Sequence, residues 1–208
     1  MSYIKLELGA GEHPSMGGFV HNDIVAYPHI EIVCDCAHLP MIETGSVTIL
    51  RAIHLLEHFG PWDGPETLAE WVRVLCPRGV LEVAMPNLQE LALMVILENI
   101  TLEAFWRDVY GLAARPQVTI AQQWDWVKRL TQGYSIAHYE VWINLLHEIY
   151  EPIWKTQGHV PQAHKWAFCD QHLRMALGIA MGADTAVIHH EGTSLHAWVT
   201  KPDRRSSR

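Results

Sequence analysis

Glu7-Leu8-Gly9-Ala10-Gly11 closes a short apolar run, and its glycines let the backbone turn sharply and approach a ligand with no Cβ in the way. Asp23 ends a second apolar run and Asp35 a third. A carboxylate at Asp23 can accept hydrogen bonds from both hydroxyls of a ribose. One at Asp35 can accept from an adenine amino group while a neighbouring backbone N–H donates to the ring. Taken singly, each is also an ordinary strand-end turn residue; three in order point to a nucleoside-binding edge. Farther on, His54-Leu55-Leu56-Glu57-His58 sets two histidines four positions apart. Imidazole titrates near neutral pH, so His54 and His58 are candidate general bases, and a packed or hydrogen-bonded histidine at a helix start is an equal reading. The same five residues match the HxxEH pattern of inverted zinc peptidases. Because no recognisable downstream motif adds a third ligand, no metal is expected.

These residues need elements to hold them. Short apolar runs at Tyr3 to Leu8, Phe19 to Asp23, Ile30 to Asp35 and Val47 to Leu50, separated by polar or Pro/Gly punctuation, predict strands. Leu68, Trp71, Val72 and Leu75 recur at helical spacing before a Pro77-Arg78-Gly79 break, and Val80 to Met85 predicts another strand closed by Pro86. From Asn87 to about Trp166 the chain loses its β-branched clusters; Trp142, Leu145, Leu146 and Ile149 share a helical face, so residues 88–166 are expected to form a helical insertion. Asp170 to Met181 then reads as a helix stopped by Gly182, and Ala186 to His190 and Leu195 to Thr200 as two strands joined by a Gly-containing turn. The whole predicts one α/β domain over 1–208, with a mainly parallel sheet, covered faces and an antiparallel C-terminal hairpin. In such sheets ligands sit beyond the carboxyl ends of the strands, which is where the glycine turn, Asp23 and Asp35 fall.

Composition narrows the function. The 208 residues suit one sizeable α/β domain, and no apolar run approaches the length of a membrane span. The opening MSYIKLELGAGE lacks an apolar stretch with a small-residue cleavage site, and Cys34, Cys36, Cys76 and Cys169 have neither disulfide-framework nor zinc-ribbon spacing, so a cytoplasmic setting is expected. Fifteen basic against twenty-three acidic residues give a net charge of −8, which opposes a surface that tracks phosphates and so opposes nucleic-acid binding. The basic tail KPDRRSSR reads as a solvated terminus.

The ordered set of segments resembles the class I S-adenosylmethionine-dependent methyltransferases, and within them the small type 11 methyltransferase-domain proteins. The likeness rests on ELGAG at Glu7 to Gly11, ND at Asn22-Asp23, CDCAHLP at Cys34 to Pro40, AIHLLEHF at Ala52 to Phe59 and EWVRVLCPRGVLEVAMPN at Glu70 to Asn87, with a weaker echo at His164 to Leu177. It implies a Rossmann-like, seven-stranded sheet with S-adenosylmethionine over its carboxyl edge. By the same resemblance Glu7, Gly9, Ala10 and Gly11 would hold the methionine moiety, Asp23 the ribose, and Asp35, Cys36 and Ala37 the adenine, while Ala52 and His54 would line the pocket near the sulfonium. The stretch VRVLCPRGVLEV is scaffold in this frame. Three departures stand out: His13-Pro14 replaces a third small residue, the loop from Gly11 to Asp23 is too short for the usual helix, and Thr48 replaces the usual aspartate of the fourth strand. With almost nothing ahead of the first strand, a lid is expected from the insertion, whose Trp106, Trp124, Trp126, Trp142, Trp154 and Trp166 either wall a substrate pocket or form the insertion's own core.

Methyl transfer by in-line displacement to a small-molecule acceptor is therefore the leading expectation. A non-catalytic S-adenosylmethionine- or nucleotide-binding protein of the same fold is the alternative, since fold does not fix activity. A nicotinamide-dependent oxidoreductase would want a third glycine and a more distant acidic residue, and the HxxEH zinc peptidase lacks its third ligand. Neither the acceptor nor the oligomeric state can be read from the chain.

Overall fold

The structure, a computed structural model, describes residues 3–13, 17–110, 118–131, 144–151, 164–165, 167–182 and 186–203. Seven strands, β1 (Ile4–Leu8), β2 (Val20–Asp23), β3 (Ile32–Val33), β4 (Val47–Ile53), β5 (Leu75–Pro86), β6 (Val187–Glu191) and β7 (Ser194–Thr200), form one sheet in the order β3-β2-β1-β4-β5-β7-β6. The first five run parallel, and β7 lies antiparallel between β5 and β6. The expected Rossmann-like α/β sheet with a closing hairpin is what the chain adopts.

Register explains which side chains are buried. Leu6, Leu50, Leu81 and Val199 are paired in a row across the sheet, as are Leu8, Ala52, Val83 and Ala197, and all are at most 1% exposed. They join one core with the buried residues of helices α1 (Asp63–Val74) and α6 (Asp170–Met181), which pack against each other. The other face is charged, although its Glu7 and His21 are buried. Its matching row is Glu7, Arg51, Glu82 and Trp198, with Arg51 ion-paired to Glu82 at 3.4 Å and His21 beside Glu7 at 3.6 Å. Lys5 on this face is exposed and Ile49 and Val80 are half-buried. The reason is that no helix occurs between β1 and β4 among the described residues, so this side of the sheet carries charge rather than a second apolar layer.

Two details depart from the sequence reading. Pro77, Arg78 and Gly79 do not separate helix from strand; they form a bulge inside β5, where the pairing with β4 shifts register between Val47 and Ile49. Arg78 has a φ of +64°, and a Cβ on Gly79 would sit 2.9 Å from the Cys76 carbonyl oxygen and 3.0 Å from that of Val47. The basic tail is not wholly solvated either. Lys201 exchanges backbone hydrogen bonds with Arg78 and Gly79, and its Nζ donates to the Val72 and Leu75 carbonyls at the C-terminus of α1, where a cation meets the negative end of the helix dipole.

Between β5 and α6 the described residues are helical: α2 (Leu88–Ile96), α3 (Leu102–Tyr110), α4 (Ile120–Thr131) and α5 (144–151). The segment leaves and rejoins the sheet at one point, because Asn87 forms a parallel bridge with Phe168 and the Leu88 amide donates to the Phe168 carbonyl. Reciprocal hydrogen bonds from the Tyr110 hydroxyl to the Ile149 carbonyl and from the Tyr150 hydroxyl to the Val109 carbonyl clamp α3 to α5. Arg129 on α4 reaches Glu148 through two bonds of 2.6 and 3.0 Å. Among the described residues no helix is long and apolar enough to cross a membrane.

His172 on α6 stacks on Phe168 and is 4% exposed, and burial pushes its imidazole down to about 4 from an ordinary value near 6.5. The unfolded chain therefore binds a proton that the native one refuses. The associated stability is fully present above pH 6.5 and is lost as pH falls toward 4, on the order of 3 kcal/mol at the full shift. Urea midpoints measured from pH 7 to pH 4 are expected to fall less steeply in His172→Gln than in the unaltered protein; parallel slopes would contradict this origin.

Candidate functional site

A cleft of about 1100 Å³ opens over the carboxyl edge of the sheet. The ends of five strands contribute to it: Gly9 and Gly11 after β1, Asn22 to Val25 at the end of β2, Cys34 to Cys36 after β3, His54 and Leu55 after β4, and Pro86 at the end of β5. The opposite wall comes from α3, through Arg107 and Asp108, and from His164 and Lys165.

The glycine turn is built for this position. Gly9 and Gly11 have φ of +61° and +67°, a region that other L-residues enter at a cost of about 1–2 kcal/mol. A Cβ on Gly9 would stand 2.8 Å from Leu55 Cδ1, whereas one on Gly11 would meet nothing within 4 Å. Gly9 thus serves close packing against the segment after β4, and Gly11 leaves open space at the cleft. Asp23 holds the turn: its Oδ2 accepts from the Gly11 amide at 2.8 Å and its Oδ1 from the Val25 amide at 2.9 Å. His29 Nε2 lies 3.0 Å from the Gly11 carbonyl oxygen, closing the turn from the other side.

Asp35 is exposed and its Oδ1 accepts from the Ala37 amide at 2.9 Å. Next to it the Cys36 thiol is pushed up to about 12 by burial, so it stays protonated. This loop between β3 and β4 is pinned from α1. Trp71 Nε1 donates to the Cys36 carbonyl at 3.0 Å, and the Arg73 guanidinium donates to the Leu39 and Ile42 carbonyls. Glu70 accepts from the Leu39 amide and from Arg73, and that guanidinium holds its carboxyl below the usual range. The region read from the sequence as scaffold is therefore what positions Asp35 and Cys36; the alternation of Glu70, Trp71 and Arg73 on a helix carried no sign of it.

After β4 the chain enters a strained corner. His54 has a φ of +51°, and its amide donates to the Ala84 carbonyl at 2.8 Å. A short 3-10 turn, Leu56–His58, follows. His54 Nδ1 lies 3.3 Å from Glu57 Oε1, and this hydrogen bond raises the His54 pKa above its ordinary value. Glu57 is 1% exposed. His58 meets the ring of His164 edge to face, with centroids 4.9 Å apart. His164 was missed as a site residue by the sequence reading. Burial lowers its pKa, and its Nδ1 is bonded to the Asp108 carbonyl at 2.9 Å.

Of the residues expected at the cofactor, Gly9, Gly11, Asp23, Asp35, Cys36 and His54 line the cleft together with His58. Glu7, Ala10, Ala37 and Ala52 do not. The Glu7 carboxylate lies on the charged face of the sheet beside His21, and Ala52 is fully buried among the core leucines. Thr48, in place of an aspartate, donates from its hydroxyl to the Ile4 carbonyl at 3.1 Å and so ties β4 to β1. Of the tryptophans in the described insertion, Trp106 stacks on Tyr110 and meets Trp126 edge to face, both being buried, while Trp124 is half-buried and packs against the core. Trp142, Trp154 and Trp166 lie outside the described residues.

Because Trp71 anchors the loop, Trp71→Phe keeps an aromatic side chain there, with some loss of buried volume, but orphans the buried Cys36 carbonyl. We expect a loss of about 1–3 kcal/mol in unfolding free energy and faster amide exchange over residues 34–39; unchanged exchange there would refute the anchoring role.

No protein-family description matches the sequence, and no curated protein matches it. Solved structures do match by shape. The CurJ carbon methyltransferase aligns over 97% of this chain and 49% of its own, at 13% identity and a TM-score of 0.50. The PH0226 protein of Pyrococcus horikoshii OT3 aligns over 97% of this chain and 82% of its own, at 13% identity and a TM-score of 0.51. The chain thus spans about half the length of the first of these. In strand order, in its antiparallel β7 and in these alignments, the chain has the Rossmann-like fold of the class I S-adenosylmethionine-dependent methyltransferases.

Proposed function

We propose that the protein transfers a methyl group from S-adenosylmethionine to a small-molecule acceptor by in-line displacement. The observation that carries this reading is the convergence of an open glycine turn, Asp23 and the Asp35-Cys36 loop on one cleft at the carboxyl edge of the sheet. The donor and the cleft fit each other on structural grounds. Gly11 presents backbone to open space, and Asp23 keeps a second lone pair on each oxygen after its two backbone bonds, available to ribose hydroxyls. Asp35 has one oxygen engaged by Ala37 and stands exposed at the cleft, as an acceptor for an adenine amino group must.

When bound, the sulfonium supplies an already activated methyl group, so what remains for the protein is alignment and exclusion of water. Gly9, Gly11 and Asp23 would fix the donor from the sheet side. Arg107, Asp108, His164 and Lys165, which belong to the region between β5 and α6, would face the acceptor and orient it. His58 lines the cleft beside His164 of this wall and is the candidate to take a proton from an acceptor hydroxyl. His54 is the poorer candidate, because Glu57 favours its protonated form. The net charge of −8 favours a neutral or cationic acceptor over a polyanion, and the free thiols of all four cysteines support a reducing, cytoplasmic setting.

Calorimetric titration with S-adenosylmethionine, with NAD in parallel, tests the reading. Binding of the sulfonium ligand alone is expected. Asp23→Ala, which removes both the ribose acceptor and the tie to Gly11, should weaken it by at least tenfold, about 1.4 kcal/mol. Gly11→Ala, which sets a methyl group in the cleft, should do the same. No binding at millimolar ligand would sink the proposal, and binding without turnover on a broad acceptor panel would favour a non-catalytic binder.

A further inference from the structure

We propose that Glu57, His58 and His164 form a binding site for one divalent transition-metal ion of the zinc type, at the acceptor end of the cleft. One ligand atom from each of the three lies within 4.8 Å of the others. Two imidazole nitrogens and a carboxylate oxygen are the borderline donor set that such ions take, with bonds of about 2.0–2.2 Å and donors about 3.4 Å apart in a tetrahedron. Rotation of the side chains by roughly an ångström would close the set.

The surroundings favour coordination over a plain hydrogen-bond network. His164 Nδ1 is engaged by the Asp108 carbonyl at 2.9 Å, so that nitrogen carries the proton and Nε2 keeps its lone pair for a metal, the usual arrangement behind a metal-bound histidine. Glu57 Oε1 is engaged by His54 Nδ1 at 3.3 Å, while Oε2 is buried and has no hydrogen-bond partner among the described residues. A buried carboxylate oxygen without a donor is costly unless a cation satisfies it. The two ligand-bearing segments are fastened to each other, because the Lys165 amide donates to the Glu57 carbonyl at 2.7 Å and the His164 amide to the Tyr110 carbonyl at 3.1 Å.

Glu57 and His58 are the last two residues of the HxxEH segment. The third ligand is therefore present, but it comes from the far end of the insertion and His54 acts behind Glu57. Both histidine ligands line the cleft, so a fourth coordination position faces the acceptor. On the methyl-transfer reading, an ion there would replace His58 in its role as base, because it would hold an acceptor oxygen or nitrogen and favour its deprotonated form while His58 serves as a ligand.

The test is titration of the chelator-stripped full chain with Zn²⁺ and, for its visible spectrum, Co²⁺. One ion per chain is expected, with a tetrahedral or five-coordinate cobalt spectrum, and with affinity falling at least tenfold in Glu57→Gln and in His164→Ala. The double variant His189→Ala/His190→Ala, on β6 outside the cleft, should leave affinity unchanged. No stoichiometric binding, or binding that the two cleft variants leave intact, overturns the site and leaves a hydrogen-bond network only. If a variant does not fold, Zn²⁺ should still protect His58 and His164 of the unaltered protein from diethyl pyrocarbonate; absence of protection overturns the proposal as well. S-adenosylmethionine titration of the stripped protein separates the two readings, since its failure refutes methyl transfer without touching the metal result, and the reverse also holds.

Discussion

The cleft depends first on the carboxylate of Asp23, which accepts from the backbone amides of Gly11 and Val25. In many Rossmann-like proteins a helix follows the first strand and its N-terminus holds the ligand-binding turn in place. Here no helix occurs between β1 and β2 among the described residues, so a turn with two positive φ angles must be held by side chains. Hydrogen bonds to a charged acceptor are worth about 1.5–3 kcal/mol each, enough to offset the conformational entropy that two glycines lose on being ordered. Asn22 extends the same arrangement outward by donating to the Ile32 and Cys34 carbonyls, which fixes the short strand β3 against β2. The floor of the site is thus a set of strand ends laced together by Asp23, Asn22 and His29.

The next loop follows the same logic from the opposite side. Residues 34–46 cross from β3 to β4 without a helix, and α1 reaches over to hold them through Trp71, Glu70 and Arg73. Arg73 donates to the carbonyls of both Leu39 and Ile42, and the Leu39 carbonyl accepts from the Ile42 amide as well. A core helix is in this way mechanically part of the site, and packing changes around Trp71 reach Cys36 through one hydrogen bond.

Strands, α1, α6 and the hairpin were legible because each has a periodicity of its own. Gly182 at a φ of +69° ends α6 where a helix-stop glycine was expected. The bulge in β5 was not legible, since Pro77-Arg78-Gly79 has the composition of a loop and only the pairing of Val47 and Ile49 with β5 shows that the strand continues through it. The charged sheet face was hidden for a related reason: Glu7, Arg51 and Glu82 look like turn or surface residues until register sets them side by side. Gly9, Gly11, Asp23 and Asp35 could be placed at the cleft because strand ends are visible in sequence. Arg107, Asp108, His164 and Lys165 could not, because they approach from a region whose local pattern specifies helices but not where those helices dock.

That division follows from how the chain is closed. The segment between β5 and α6 departs and returns at the Asn87–Phe168 bridge, while its buried residues join the same core as the strands. It holds itself together through the Tyr110 and Tyr150 hydroxyls and the Arg129–Glu148 pair, all internal to it. Its tie to the cleft runs through a small area, the Lys165 amide on the Glu57 carbonyl and the His58–His164 ring contact. The wall of Arg107, Asp108, His164 and Lys165 thus belongs to this segment and that of Gly9, Gly11 and Asp23 to the strand ends, and the two meet at Glu57-His58. Those residues follow directly on a backbone corner, His54 at a φ of +51°, whose cost of about 1–3 kcal/mol is sustained by the bond from its amide to the Ala84 carbonyl of β5. A strained residue held by the sheet and adjoining a buried carboxylate is the arrangement expected where the fold gives up stability for a reactive geometry. In this chain it lies at the junction between the strand ends and the helical segment.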